Sequence, residues 1–169
     1  LYDNAQLARV YTDAFRLTGK PLYRRIVEET LDYVVREMTA EVGAFYSAQD
    51  ADSEGVEGKF YVWQREEIEG ALSPEEYSLF AEVYGIADEP NFEGHYIPLL
   101  KKPLAEVAAD RKQTEAELDA ALRPIRAKLL AERAKRPRPL TDTKILAGWN
   151  GLMIRGLADA GRVFKNDAY

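Results

Sequence analysis

Chemistry-bearing residues concentrate in one short segment, Gln49-Asp50-Ala51-Asp52-Ser53-Glu54-Gly55-Val56-Glu57-Gly58, which holds four carboxylates in ten residues. Carboxylates this close can act as general acid and base when burial or mutual repulsion separates their pKa values. They can also hold a hard cation, or form a solvated polar turn with no chemistry. The run Asp50-x-Asp52-x-Glu54-Gly55 imitates the first half of an EF-hand loop, with Gly at the sixth position. The twelfth position is Tyr61 instead of a bidentate Glu, and the flanks read as strands, so the EF-hand reading fails. Phe45, Tyr46, Tyr61 and Trp63 bracket the segment, and aromatic faces beside carboxylates suit a sugar. Asp50 and Asp52 are therefore the candidate catalytic pair. Glu54 is a candidate polar contact to substrate, and Tyr61 a stacking contact.

A second candidate is Trp149-Asn150-Gly151. Trp149 falls on the apolar face of a helix, where core packing competes with stacking on a ligand. Asn150 lies about 100° around the helix and could meet a hydroxyl. Just before this helix, Asp142 and Lys144 can form a local ion pair or face a ligand. His95, in a Gly-flanked loop, is either a surface side chain or a proton carrier at a substrate. Asp3 or Asn4 can be explained as a helix cap. With one His and no Cys, the chain cannot by itself build any site needing two histidines, such as a multi-histidine zinc site, nor a disulfide or a thiol nucleophile. No cofactor and no metal are expected.

The elements that position these residues are mostly helical. Leu7, Val10, Tyr11, Ala14, Phe15 and Leu17 recur at helical spacing. Gly19 suits a left-handed C-terminal position, and Pro21 opens a second helix that presents Leu22, Tyr23, Ile26, Val27, Thr30, Leu31, Val34 and Met38. So short a connection makes the two helices antiparallel neighbours. After Gly43 the period drops to two, and residues 43–48 and 59–63 read as paired strands around the acidic loop. A short helix is expected over 64–72. Ser73-Pro74-Glu75-Glu76 and Thr114-Glu115-Ala116-Glu117 are capping boxes opening two more helices. Pro124 should kink or restart the second of these. Residues 86–100 read as loop. A last helix is expected with Thr141 as N-cap, a hydrophobic staple between Leu140 and Ile145, and glycines that let a neighbouring helix approach. The fold class is mainly α: antiparallel helical hairpins with one short β-hairpin near 43–63, in a single domain over 1–169.

The chain has 169 residues, 46% of them hydrophobic, which suits one globular domain. Its net charge of −6 divides unevenly. Residues 123–138 carry seven basic side chains against Glu132 alone, leaving −12 on the rest of the chain. The basic block lacks interleaved aromatics, and an acidic body repels a polyanion, so no nucleic-acid partner is expected. Nor is a membrane partner, since no apolar run reaches the roughly 18–20 residues of a span. Absence of cysteine fits a reducing compartment, and a cytoplasmic location is expected. The first residue, Leu1, is not Met, and the chain reads as an excerpt of a longer protein.

Several blocks together carry a resemblance: Leu1-Tyr2-Asp3-Asn4-Ala5, Gly43 through Gly55, Glu57-Gly58-Lys59-Phe60-Tyr61-Val62-Trp63, Asn91-Phe92-Glu93-Gly94, and Asp142-x-Lys144-Ile145-Leu146-x-x-Trp149-Asn150-Gly151-Leu152-Met153-Ile154. In this order they resemble the thioredoxin-domain-containing protein family of the spermatogenesis-associated protein 20 type, formerly a domain of unknown function. The resemblance implies a thioredoxin-like N-terminal domain, absent from this chain, followed by an (α/α)6 toroid similar to those of N-acylglucosamine 2-epimerases and six-hairpin glycosidases. This chain would cover part of that toroid, with a carbohydrate as ligand. Helix faces left bare in a partial toroid would favour self-association. The implied function is a carbohydrate-active or sugar-binding toroid segment, epimerase- or glycosidase-like by fold analogy. The alternative is a non-catalytic scaffold or interaction domain attached to the thioredoxin-like domain.

Overall fold

The computed structural model describes residues 1–169. In chain order the elements are α1 (Tyr2–Thr18), α2 (Pro21–Glu37), β1 (Ala48–Gln49), β2 (Asp52–Ser53), β3 (Val56–Glu57), α3 (Arg65–Ala71), α4 (Pro74–Tyr84), α5 (Leu104–Asp110), α6 (Glu115–Arg133), β4 (Thr141–Asp142) and α7 (Ala147–Phe164). The fold is mainly α, with only two-residue strands. The elements gather into two compact units: residues 1–50 with 140–169, and residues 51–139.

The first unit is built on the antiparallel pair α1 and α2. Gly19 ends α1 in the left-handed conformation its position requires (φ 67°), and its N–H returns to the Phe15 carbonyl. Pro21 then starts α2 where no N–H is needed. The core takes Ala5, Ala8 and Thr12 from α1, Val27, Leu31 and Val34 from α2, and Met153, Leu157, Ala160 and Phe164 from α7. Small residues dominate where α1 meets α7. A Cβ added at Gly156 would lie 3.2 Å from the Ala5 carbonyl oxygen, so this glycine does permit the close helix approach its sequence suggested. The larger apolar residues of α1 do not share that core: Leu7, Val10 and Leu17 are exposed, Leu17 by 87%.

The start of α7 differs from the expected one. Thr141 is not its N-cap. Thr141–Asp142 instead pairs antiparallel with Ala48–Gln49, supported by hydrogen bonds from Ser47 N–H to the Asp142 carbonyl and from Asp50 N–H to the Leu140 carbonyl. The helix begins at Ala147 with no side-chain cap. Leu140 and Ile145 are 75% and 48% exposed, so they form no staple. Pairing with β1 holds Asp142 extended, so it cannot serve as the first helical residue after a Thr141 cap.

The second unit has its own core, in which Ile68, Phe80, Val83, Ile86, Leu118, Leu122, Ile125 and Leu129 are buried with Trp63 and Tyr96. Burial of each such aliphatic side chain contributes about 1.5–3 kcal/mol. Both expected capping boxes form, at Ser73/Glu76 and Thr114/Glu117, and Gln64/Glu67 adds a third. Pro124 sits inside α6 without ending it. It is exposed while Leu122 and Ile125 beside it are buried, so packing on the opposite face carries the helix past the missing N–H. Helix α5, preceded by Pro103 and lacking a side-chain cap, was not foreseen.

The expected strand pairing is also revised. Residues 59–61 form turns, with Tyr61 N–H bonded to the Gly58 carbonyl, while Trp63 bridges to Tyr96 through two backbone hydrogen bonds. The short hairpin lies within the acidic segment itself, where Asp52 faces Glu57 and Ser53 faces Val56.

Candidate functional site

Two tight hairpins in the second unit share one turn chemistry. In the first, Glu54 (φ 54°) and Gly55 (φ 75°) link Ser53 to Val56; in the second, Glu93 (φ 45°) and Gly94 (φ 78°) link Phe92 to His95. Left-handed backbone at both central residues is the type I′ geometry, which matches the twist of paired strands and ordinarily takes Asn-Gly or Asp-Gly. A Glu at the first position carries a steric cost that Gly does not. The hairpins lie close together: a Cβ added at Gly58 would be 3.8 Å from the Phe92 ring.

A cavity of about 250 Å³ opens here, with Glu54, Lys59, Phe60, Glu67, His95 and Arg136 among its lining residues. Arg136 organises one wall. Its guanidinium carbon lies 4.2 Å from the centre of the Trp63 ring. Nη1 donates to the Phe60 carbonyl (3.0 Å) and the Val62 carbonyl (2.6 Å), and Nη2 to a Glu67 carboxylate oxygen (3.2 Å). Glu67 also accepts the Gln64 N–H at 2.7 Å, so the start of α3 fixes this carboxylate. A second ion pair among the lining residues joins Lys59 Nζ to Glu54 at 2.8 Å. Ser53 Oγ donates to the Pro137 carbonyl at 2.6 Å, securing the base of the first hairpin. The His95 Nδ1 lies 3.0 Å from the Glu93 carbonyl oxygen. A carbonyl can only accept, so Nδ1 carries the hydrogen in the neutral ring, leaving Nε2 as an acceptor.

Of the residues singled out in the sequence, Glu54 and His95 meet in this cavity. Tyr61 follows the lining residue Phe60 and holds its ring edge-on to it, centroids 5.1 Å apart, with the Arg133 guanidinium 5.4 Å from both rings. Asp52 is exposed on β2. Asp50, also exposed, belongs to the first unit, so the two candidate catalytic carboxylates fall in different units.

The other candidates lie in the first unit. The half-buried Trp149 packs against that unit's core, its ring centroid 4.8 Å from that of Tyr2. Asn150 is buried and clamps a backbone segment: Oδ1 accepts the Phe45 N–H (2.8 Å), and Nδ2 donates to the carbonyls of Phe45 (3.0 Å) and Leu146 (3.1 Å). Both amide hydrogens are thereby used. Asp142 and Lys144 form the local ion pair, Nζ to Oδ2 at 3.0 Å. Hydrogen bonds from the Lys144 ammonium and then its backbone N–H hold the Asp142 carboxyl below the usual range.

Lys59, Glu67 and Arg136 were not singled out in the sequence. Arg136 was hidden inside the basic block, whose members mostly find acidic partners: Arg123 and Arg126 with Asp119, Lys128 with Glu76, Lys135 with Glu132. The signal that could have found the site is the repeated Glu-Gly pair at 54–55 and 93–94. No three His, Asp or Glu side chains converge as a metal site needs, and no helix is long and apolar enough to cross a membrane.

No family model matches the chain. It is 34% identical to human spermatogenesis-associated protein 20 over 99% of its own length and 24% of the relative's. The similarity to spermatogenesis-associated protein 20 thus runs along one stretch of that protein. The mouse member is 35% identical over 95% of this chain and 24% of its own. An uncharacterised Caenorhabditis elegans protein is 28% identical over 100% of this chain and 26% of its own. The chain thus spans about a quarter of the length of the curated relatives it matches.

Proposed function

We propose that this chain is a carbohydrate-binding segment of its family, with the cavity between the two Glu-Gly hairpins as the sugar site. One observation carries the reading: Glu54 and Glu67, each held by a cation, converge with His95 and Phe60 on one cavity. A carboxylate fixed by an ion pair keeps free lone pairs for sugar hydroxyls, and His95 Nε2 adds an acceptor. The cavity volume suits a monosaccharide, below the usual range for larger ligands. In this reading the carboxylates that meet the ligand are Glu54 and Glu67, not Asp50 and Asp52, which do not line the cavity. The α1–α2 hairpin with α7 would form part of an α/α toroid, in a cytoplasmic protein. Titration of the 169-residue chain with neutral monosaccharides, followed by amide NMR shifts, tests the proposal. Shifts should centre on residues 53–67, 92–95 and 136–137, and Glu67→Gln or His95→Ala should weaken binding about ten-fold. Shifts scattered over the surface, or unchanged affinity in both variants, would remove the assignment.

A second reading, an interaction domain that need not act on any substrate, is favoured by the outer face of α1. Leu7, Val10 and Leu17 stand exposed there although the opposite face of the same helix is buried. Apolar residues on both faces characterise a helix meant to be covered on both. Sedimentation of the wild type against Leu7→Lys/Leu17→Lys tests this: self-association lost in the variant supports the reading, and a wild-type monomer counts against it.

A further inference from the structure

We infer that the ligand of this cavity is uncharged, an inference that rests on the sugar reading above. The cavity's two permanent cations are both spent. Lys59 is paired with Glu54 at 2.8 Å and Arg136 with Glu67 at 3.2 Å. The formal charges of these four groups cancel, and Arg136 additionally directs its Nη1 hydrogens to the Phe60 and Val62 carbonyls. A site for a phosphate or carboxylate is built differently. It leaves an Arg fork or backbone N–H groups unmatched, so that the ligand supplies the missing negative charge.

The surroundings reinforce the same choice. Residues 51–139 hold thirteen basic and eighteen acidic residues, so this unit carries an acidic surplus that repels an approaching anion. The second hairpin adds an ammonium-free edge, His95 with its Nδ1 turned to the Glu93 carbonyl. A neutral polyol matches this lining without breaking either ion pair: each carboxylate and Nε2 accept from hydroxyls, and Lys59 donates to one. An anionic sugar must either displace Glu54 from Lys59 or enter beside it, and both are unfavourable.

Calorimetric titration of the 169-residue chain with glucose, N-acetylglucosamine, glucuronate, glucose 6-phosphate and glucosamine decides the matter. The two neutral sugars should bind at least ten-fold more tightly than the other three, with affinity unchanged between 20 mM and 300 mM salt, because no net charge is neutralised. Glu54→Gln unmasks Lys59 and should raise glucuronate affinity about ten-fold. Comparable or tighter binding of glucuronate, the phosphate or protonated glucosamine by the wild type, or affinity falling steeply with salt, overturns the inference and leaves the sugar site standing. Binding of none of the five removes the sugar site itself, and the inference with it.

Discussion

The two units solve the problem of helix ends and helix contacts in opposite ways. In the second unit, α3, α4 and α6 all begin with capping boxes, and the core between them is lined by Leu, Ile, Val and Phe. In the first, α1, α2 and α7 have no side-chain caps. Its core also buries Val, Leu, Met and Phe, but α1 meets α7 through small residues, and one buried carboxamide, Asn150, joins the backbone 105 residues earlier. Eleven of the sixteen exposed large hydrophobic side chains also belong to the first unit. Short-range polar signals therefore shape one unit, and long-range packing shapes the other.

The largest expected effect tests the long-range side. Asn150→Ala leaves the Phe45 N–H and carbonyl unpaired in a buried setting, at about 1–3 kcal/mol for each stranded group. Urea unfolding should show a loss of about 3 kcal/mol, with hydrogen exchange rising first in residues 38–50 and 140–150. A loss below about 1 kcal/mol would end the contrast between the units. Gly156→Val should come next. Even a bare Cβ sits 3.2 Å from the Ala5 carbonyl oxygen, and overpacking of this kind costs about 1–3 kcal/mol. A neutral outcome in thermal unfolding would mean that α1 and α7 can part freely.

The short-range side responds to acid. Burial works to raise the Asp119 pKa, but hydrogen bonds and charge from Arg126 and then Arg123 outweigh it and leave the carboxyl below its ordinary value. A depressed folded pKa means that the stabilisation is present above the unfolded value of about 3.9 and disappears as pH falls through the folded one. Acid titration of stability should show up to about 1 kcal/mol lost in that window. The loss should be absent in Asp119→Asn, and an identical acid profile in that variant would refute the assignment. The smallest effect has the most functional interest. Glu54→Asn installs the residue that a type I′ turn prefers and should stabilise the chain by about 0.5 kcal/mol. The same variant should lower neutral-sugar affinity, and a gain in both would show that Glu54 has no role in the cavity.

Legibility in the sequence followed the same divide. Gly19, Ser73 and Thr114 mark helix ends by chemistry confined to a few residues, and the structure places all three at helix ends. Thr141 looked like an equally good N-cap, yet its backbone pairs with Gln49, a partner no local pattern announces. Leu7, Val10 and Leu17 had the right period for a buried stripe, but Ala5, Ala8 and Thr12 form the face that is buried. Periodicity identifies apolar positions without saying which of two apolar stripes finds a partner. At the candidate site, Glu54 and His95 stood out by residue type, whereas Arg136 gains its place from Trp63 and Glu67, about 70 residues away.

The division of the chain has a consequence for assembly. The first unit is discontinuous: residues 51–139 depart after Asp50 and return at Leu140, whose carbonyl accepts the Asp50 N–H at 2.8 Å. Closing an unstructured excursion of about 90 residues costs about 4 kcal/mol in chain entropy. The second unit brings its own two ends together through Ser53 and Pro137, so a chain in which that unit folds early has already paid most of this cost. Uninterrupted in sequence, the second unit can form as soon as it leaves the ribosome, whereas α7 must emerge before the first can close. The inserted unit thus acts as an internal clasp that turns a distant strand pairing into a nearly local one.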